Sequence, residues 1–110
     1  MARVGKGCVV VVPVPYSDLS NVRRSPALVI ANWQGDDLIL CQITSRTVRD
    51  EYAIELRNAD FEDGGLRQTS NIRPNCIFTA DSQIILYKAG KVRITKLDDV
   101  VRTIVGILRN

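Results

Sequence analysis

Three short stretches of the sequence set an arginine among hydroxyl or amide side chains: Arg23-Arg24 ahead of Ser25, Gln42-Ile-Thr-Ser-Arg46, and Ser70-Asn-Ile-Arg-Pro-Asn75. Each falls where an apolar, strand-like run begins or ends. Arginine offers a planar, two-pronged grip on a phosphate, and Ser or Thr hydroxyls add neutral donors beside it. Any one stretch alone reads as a solvated strand end. Three on one small domain read as an anion-binding rim, and charge and spacing carry the inference no further than a phosphate site. Other chemistry is excluded by composition. The sequence has no histidine, and its three cysteines, Cys8, Cys41 and Cys76, are far apart with no CxxC pair. A Cys/His zinc site, a Cys–His nucleophile and a Ser–His–Asp triad are therefore ruled out. No metal or other cofactor is expected.

Short strands must hold this rim. Residues 7–12, 27–33 and 38–44 are β-branched, apolar runs bounded by turn residues, which favours strand over helix. Pro13 and Pro15 are expected to stop the first run, because proline has no N–H for a sheet ladder. Ser17, Asp18, Ser20 and Asn21 then form a loop, which places Arg23 and Arg24 where loop meets strand. Residues 34–37 make a turn. From 51 to 57 the pattern alternates, with Tyr52, Ile54 and Leu56 on one side and Glu51, Glu55 and Arg57 on the other, as in a half-buried strand. Residues 58–65 are expected as loop, with Gly64-Gly65 supplying backbone freedom. Residues 72–79 and 83–87 supply two more strands.

The character changes at Thr95. Leu97, Val100, Val101, Ile104, Val105 and Leu108 recur at helical spacing and form one apolar stripe, expected to pack on the sheet. Thr95 is expected to cap this helix, with Asp98 and Asp99 in its first turn. Gly106 weakens it late, by ~1 kcal/mol relative to alanine. Five or six short strands followed by one C-terminal helix imply a mainly β fold, a small and strongly curved sheet or barrel with the helix against it.

The chain has 110 residues and is expected to form a single domain, residues 1–110. Fifteen basic against 12 acidic residues give a net charge of +3, a weak lean towards an anionic partner. Each cysteine sits beside an apolar residue (Val9, Leu40, Ile77) and reads as a small core side chain. An odd count without a disulfide framework fits a reducing compartment. No charged-then-apolar leader is visible and the longest apolar runs are five residues. Neither export nor a membrane span is expected, and the protein reads as cytoplasmic.

At the same residues the sequence resembles the PemK/MazF-like toxins. The likeness is carried by Gly5-Lys-Gly-Cys-Val-Val-Val-Val-Pro-Val-Pro-Tyr-Ser-Asp-Leu-Ser20, Ser25-Pro-Ala-Leu-Val-Ile30, Leu40-Cys-Gln-Ile-Thr-Ser45, Asp60-Phe-Glu-Asp-Gly-Gly-Leu66 and Ser70-Asn-Ile-Arg-Pro-Asn75, followed by Gly90-Lys91 and the helix. The resemblance implies an SH3-like barrel with a C-terminal helix and a homodimer. It also implies a toxin that cuts single-stranded RNA without a metal, neutralised by a cognate antitoxin whose tail occupies the RNA groove. Thr44 inherits the family hydroxyl near the scissile phosphate, with Ser45 its neighbour. Arg73 falls where some members have a catalytic or RNA-contacting arginine. Asn75 stands where such members have an acidic residue, and it cannot be a base. The family usually has arginine immediately before the proline, and here that position is Ser25, with Arg24 one residue earlier. The resemblance thus implies Arg24, Thr44 and Arg73 as catalytic. Tyr16, Ser17, Arg23, Ser45 and Asn75 are implied as RNA-contacting.

Two other classes share these features. A non-catalytic barrel binding nucleic acid or an acidic partner would keep the basic rim without needing Thr44. A toxin resembling the gyrase poison CcdB would act through its dimer and C-terminal helix, with Trp33, Arg102 and Arg109 as contacts.

Overall fold

The computed structural model describes residues 4–15, 22–32, 35–48 and 50–110, with the side chains at 14, 15, 22 and 23 left outside that description. Tyr16, Ser17 and Trp33 lie outside the described residues. Within them run seven strands and one helix: β1 (Cys8–Pro15), β2 (Val22–Asn32), β3 (Asp37–Thr44), β4 (Ile54–Leu56), β5 (Phe61–Gly64), β6 (Ser70–Asp81), β7 (Tyr87–Val92) and α1 (Ile94–Arg109). The strands make one antiparallel sheet in the order β4-β6-β3-β2-β1-β7-β5. It curls into a half-barrel against which α1 packs, so the expected mainly β barrel with a C-terminal helix is what the chain forms.

Successive residues of the central strands feed two different cores, because side chains alternate faces along a strand. Val9, Leu28, Cys41, Ile43 and Ile72 meet Val100 and Ile104 of α1 on one face. Val10, Val12, Ala27, Val29, Leu38 and Leu40 fill the other. That double burial is why β1, β2 and β3 read as unbroken apolar runs. Leu28 and Ile43 are fully buried, and truncating either to alanine is worth about 2–5 kcal/mol. Lys96 ties the helix down, its Nζ donating to the Glu55 carbonyl at 3.1 Å and facing Asp60 at 3.5 Å.

Several expectations are corrected. β1 does not stop at Pro13. Its ladder with β7 ends at Val11, and beyond that, among the described residues, it pairs with β2 alone. A strand with one open edge tolerates residues that lack an N–H. β2 starts at Val22, so Arg23 and Arg24 lie within a strand and not at a loop–strand junction. Residues 58–65 are not all loop, since β5 adds Phe61–Gly64 to the sheet edge. Ser82–Ile84 is a 3-10 turn, and the last strand starts only at Tyr87. The helix starts at Ile94 with Arg93 as its cap, so Thr95 does not cap it and its first turn holds no acidic residue. Only the Leu97, Val100 and Ile104 side of its apolar stripe packs on the sheet, while Val101, Val105 and Leu108 are exposed. Cys8 and Cys41 are buried core residues as expected, but Cys76 is only half-buried.

Gly64 has a left-handed φ of 66°, and a Cβ there would lie 2.2 Å from the Ala89 carbonyl oxygen on β7. Gly35 has a similar φ of 71° but faces open space. Both Gly→Ala changes incur the left-handed cost of about 1–2 kcal/mol, and only Gly64→Ala also wedges β5 from β7. Gly64→Ala should therefore lower the thermal midpoint distinctly more than Gly35→Ala, as measured by calorimetry; equal losses would contradict the packing.

Candidate active site

The face of the second core turns polar towards one end of the sheet. Ala27 pairs with Gln42 across β2 and β3, and Ser25 stands further along β2 on the same face. Gln42 pairs with Arg73 and Thr44 with Asn71 across β3 and β6. Thr44 and Arg73 are thus diagonal neighbours on one face, a separation of ~7–8 Å between their backbones. The register gives this row its aim. Cys41 lies opposite Ile77 and the next residue, Gln42, opposite Arg73, so Pro74, Asn75 and Cys76 have no partner on β3. Proline suits such a bulge because it has no N–H to leave unpaired, and bulges re-aim side chains where they occur.

Each hydroxyl in the row has a distinct state. Ser25 is buried, and its Oγ donates to the Ile43 carbonyl at 3.4 Å. Thr44 Oγ1 instead accepts from the Arg46 N–H at 3.1 Å. A hydroxyl has one hydrogen to give; Ser25 spends it inside the sheet, whereas nothing among the described residues takes that of Thr44. Ser45 follows the end of β3 and is exposed. Arg24 is exposed and stands next to inward-facing Ser25 in an extended strand, so its side chain leaves from the opposite face. The structure therefore brings Thr44 and Arg73 together and leaves Arg24 apart from them. The backbone of Arg23 pairs with Val14 on β1.

Arg73 has 31% side-chain exposure and meets two partners, one on β3 and one in the connection before β4. Its Nη1 donates to Gln42 Oε1 at 3.5 Å, and its Nη2 lies 3.5 Å from Asp50 Oδ2. Its Nε is buried with no hydrogen-bond partner among the described residues. Asn75 Nδ2 also donates to Asp50 Oδ2, at 3.4 Å. Sequence reasoning missed Asp50. It sits in the connection before β4, remote in sequence from Arg73, and the only local signal is an aspartate followed by a tight turn. Its Oδ1 accepts from the N–H groups of Tyr52 and Ala53 at 3.0 and 3.1 Å. Partial burial alone would raise the Asp50 pKa, but the Tyr52 N–H, Asn75, the Ala53 N–H and the Arg73 charge outweigh it and hold the carboxyl below its ordinary range.

Below Arg73, Cys41 Sγ donates to the Arg73 carbonyl at 2.8 Å. Burial, with Cys76 nearby, pushes the Cys41 thiol up to about 12, so it stays a neutral donor. A cavity of about 510 Å³ adjoins Gln42 and is lined also by Ser25, Pro26, Cys76, Phe78 and Thr79. Among the described residues no group of three His, Cys, Asp or Glu is placed to hold a metal ion. No helix among them is long and apolar enough to cross a membrane.

A family model described as the PemK-like, MazF-like toxin of type II toxin–antitoxin systems matches residues 5–108. No curated protein sequence gives a significant match. Among solved structures, MazF from Deinococcus radiodurans is 16% identical, covers 100% of each chain and superposes with a TM-score of 0.78. A MazE–MazF structure from the same organism gives 15% identity, 98% and 97% coverage of this chain and that one, and a TM-score of 0.79. An endoribonuclease in complex with its cognate antitoxin, from a mycobacterial species, gives 14% identity, 98% and 95% coverage and a TM-score of 0.73.

The depressed Asp50 pKa makes a prediction about acid stability. A carboxylate favoured in the folded state stabilises above its unfolded pKa, about 3.9, and that contribution is lost as pH falls through the lower folded value. The thermal midpoint of the wild type should therefore exceed that of Asp50→Asn by a constant margin between about pH 5 and 7, shrinking below about pH 4. A margin that grows on acidification, in calorimetry across that range, would refute the assignment.

Proposed function

The chain belongs to the PemK-like, MazF-like toxins of type II toxin–antitoxin systems, and from that premise we propose that it is a metal-independent endoribonuclease acting on single-stranded RNA. The observation that carries this reading is the juxtaposition of Thr44, with a hydroxyl hydrogen to give, and Arg73, with an unpartnered buried Nε, on one sheet face. In RNA the 2′-hydroxyl attacks the adjacent phosphorus, the bond to the 5′-oxygen breaks, and a 2′,3′-cyclic phosphate and a 5′-hydroxyl result. The nucleophile belongs to the substrate, so the protein's task is to hold the phosphate and stabilise charge on its oxygens. Arg73 supplies a permanent cation for this, because arginine does not deprotonate in proteins. Thr44 adds a neutral hydrogen bond to the same group. Ser25, at the position of the usual family arginine, has spent its hydrogen inside the sheet and contributes no charge.

Ser45, exposed just after β3, and Asn75, beside Asp50, are read as further RNA contacts, and Arg24 adds exposed positive charge on β2. The RNA-contacting roles that the family likeness implies for Tyr16, Ser17 and Arg23 fall on side chains outside the described residues. The protein is read as one domain over residues 1–110, as a cytoplasmic homodimer, and as the target of a cognate antitoxin. The antitoxin would compete with RNA for the same cationic rim. The mycobacterial relative is an endoribonuclease in complex with its cognate antitoxin.

Purified protein incubated with a defined single-stranded RNA in excess EDTA should cut it and leave cyclic phosphate ends. Arg73→Ala and Thr44→Ala should each slow cleavage by about 10²–10³. Arg24→Ala should weaken RNA binding more than the rate at saturation, since its side chain leaves the sheet from the face opposite to that of Thr44. Circular dichroism would confirm that each variant is folded. RNA bound but left intact would favour a binding module over a nuclease. Blocked DNA supercoiling with intact RNA would favour the gyrase reading.

A further inference from the structure

Among the described residues Asp50 is the one acidic group that touches the row of Thr44, Gln42 and Arg73, and binding a phosphate gives a carboxylate there no place. An anion beside the cation that binds phosphate lowers affinity for an anionic ligand. Its own fastening argues against accident. Oδ1 is fixed by two backbone N–H groups, at Tyr52 and Ala53, so the carboxylate is held independently of what Oδ2 meets. Oδ2 then faces both Arg73 Nη2, at 3.5 Å, and Asn75 Nδ2, at 3.4 Å. These two residues are separated by the buried Pro74 in the β6 bulge, which has no partner on β3 to fix it.

We propose that Asp50 is a positioning residue: its backbone-anchored carboxylate fixes the guanidinium of Arg73 and the amide of Asn75 in the orientation that meets a phosphate. The inference rests on the reading of Arg73 as the phosphate ligand. Arginine carries about 2 kcal/mol of rotamer entropy, and a fixed partner on each side of the guanidinium removes much of that freedom before RNA arrives. Gln42 holds Nη1 from β3 and Asp50 holds Nη2 from the connection before β4. Contacts of this length exceed the usual charge-assisted hydrogen bond of about 2.7–2.9 Å. They set direction while leaving the remaining Nη hydrogens of the part-exposed guanidinium for the ligand. Asp50 is poorly suited to be the base that takes the 2′-hydroxyl proton. Efficient bases have pKa values near the working pH, and this one is held below the carboxylate range.

The experiment compares the wild type, Asp50→Asn and the double variant Asp50→Asn with Asn75→Asp, which returns the carboxylate to Arg73 from within β6. Three quantities are read: the single-turnover rate on a defined RNA, the affinity for the fully 2′-O-methylated form of that RNA, and the Arg73 Nε–H signal in the free protein by NMR. Asp50→Asn should slow cleavage about 100-fold, the scale of an ångström-level misplacement. Its affinity for the methylated RNA should stay equal or tighten, because a negative charge has gone. Its Nε–H signal should broaden, and the double variant should recover the sharp signal but not the full rate, since its new carboxylate replaces the Asn75 amide at the phosphate. An Asp50→Asn protein with wild-type rate, with an unchanged Nε–H signal, or with rate and affinity falling in parallel would overturn the inference. If the wild type cuts no RNA, the nuclease reading falls, and the Nε–H comparison still decides whether Asp50 positions Arg73.

Discussion

The site depends on three residues of β6 that pair with nothing on β3. Because Pro74, Asn75 and Cys76 bulge out between the Ile77 and Arg73 rungs, Arg73 comes into register with Gln42 and lands on the face that carries Thr44. A shift of one residue would send Arg73 to the opposite face, among Ile43, Ile72 and the helix, where a cation has no partner and a high cost. Cys41 helps to pin this register from below through its bond to the Arg73 carbonyl. The same bulge brings Asn75 within reach of Asp50 and leaves Cys76 on the wall of the neighbouring cavity.

Replacing the usual family arginine by Ser25 has a structural consequence as well as a chemical one. Ser25 is buried and bonded to the Ile43 carbonyl, so that position has become part of the sheet's internal packing. Arg24, in an extended strand, leaves from the other face. On the sheet face that carries Thr44, β6 therefore contributes Arg73 while the neighbouring Arg24 of β2 is turned away.

The sequence made the central strands legible because β1, β2 and β3 are buried on both faces and so read as continuous apolar runs. It made β5 and β7 illegible for the converse reason: Phe61–Gly64 and Tyr87–Val92 are short, mostly exposed and rich in polar residues and glycine. Pro13 and Pro15 misled for a physical cause, since the usual ban on proline presumes neighbours on both edges, and among the described residues this end of β1 has only one. At the candidate site, Thr44 and Arg73 were legible as candidates from residue type at strand ends and from the family likeness. Asp50 was not. Its role depends on a through-space meeting between a loop and a bulge, and no linear spacing encodes that.

The central claim is that Arg73 and Thr44 hold the reacting phosphate on one face of β3 and β6. The most direct measurement is a crystal structure with a short 2′-O-methylated RNA bound. The account predicts a phosphate with the Arg73 guanidinium and the Thr44 hydroxyl both within hydrogen-bonding distance. A backbone phosphate held instead by Arg24, on the far face of β2, with Thr44 and Arg73 making no contact to RNA, would contradict it.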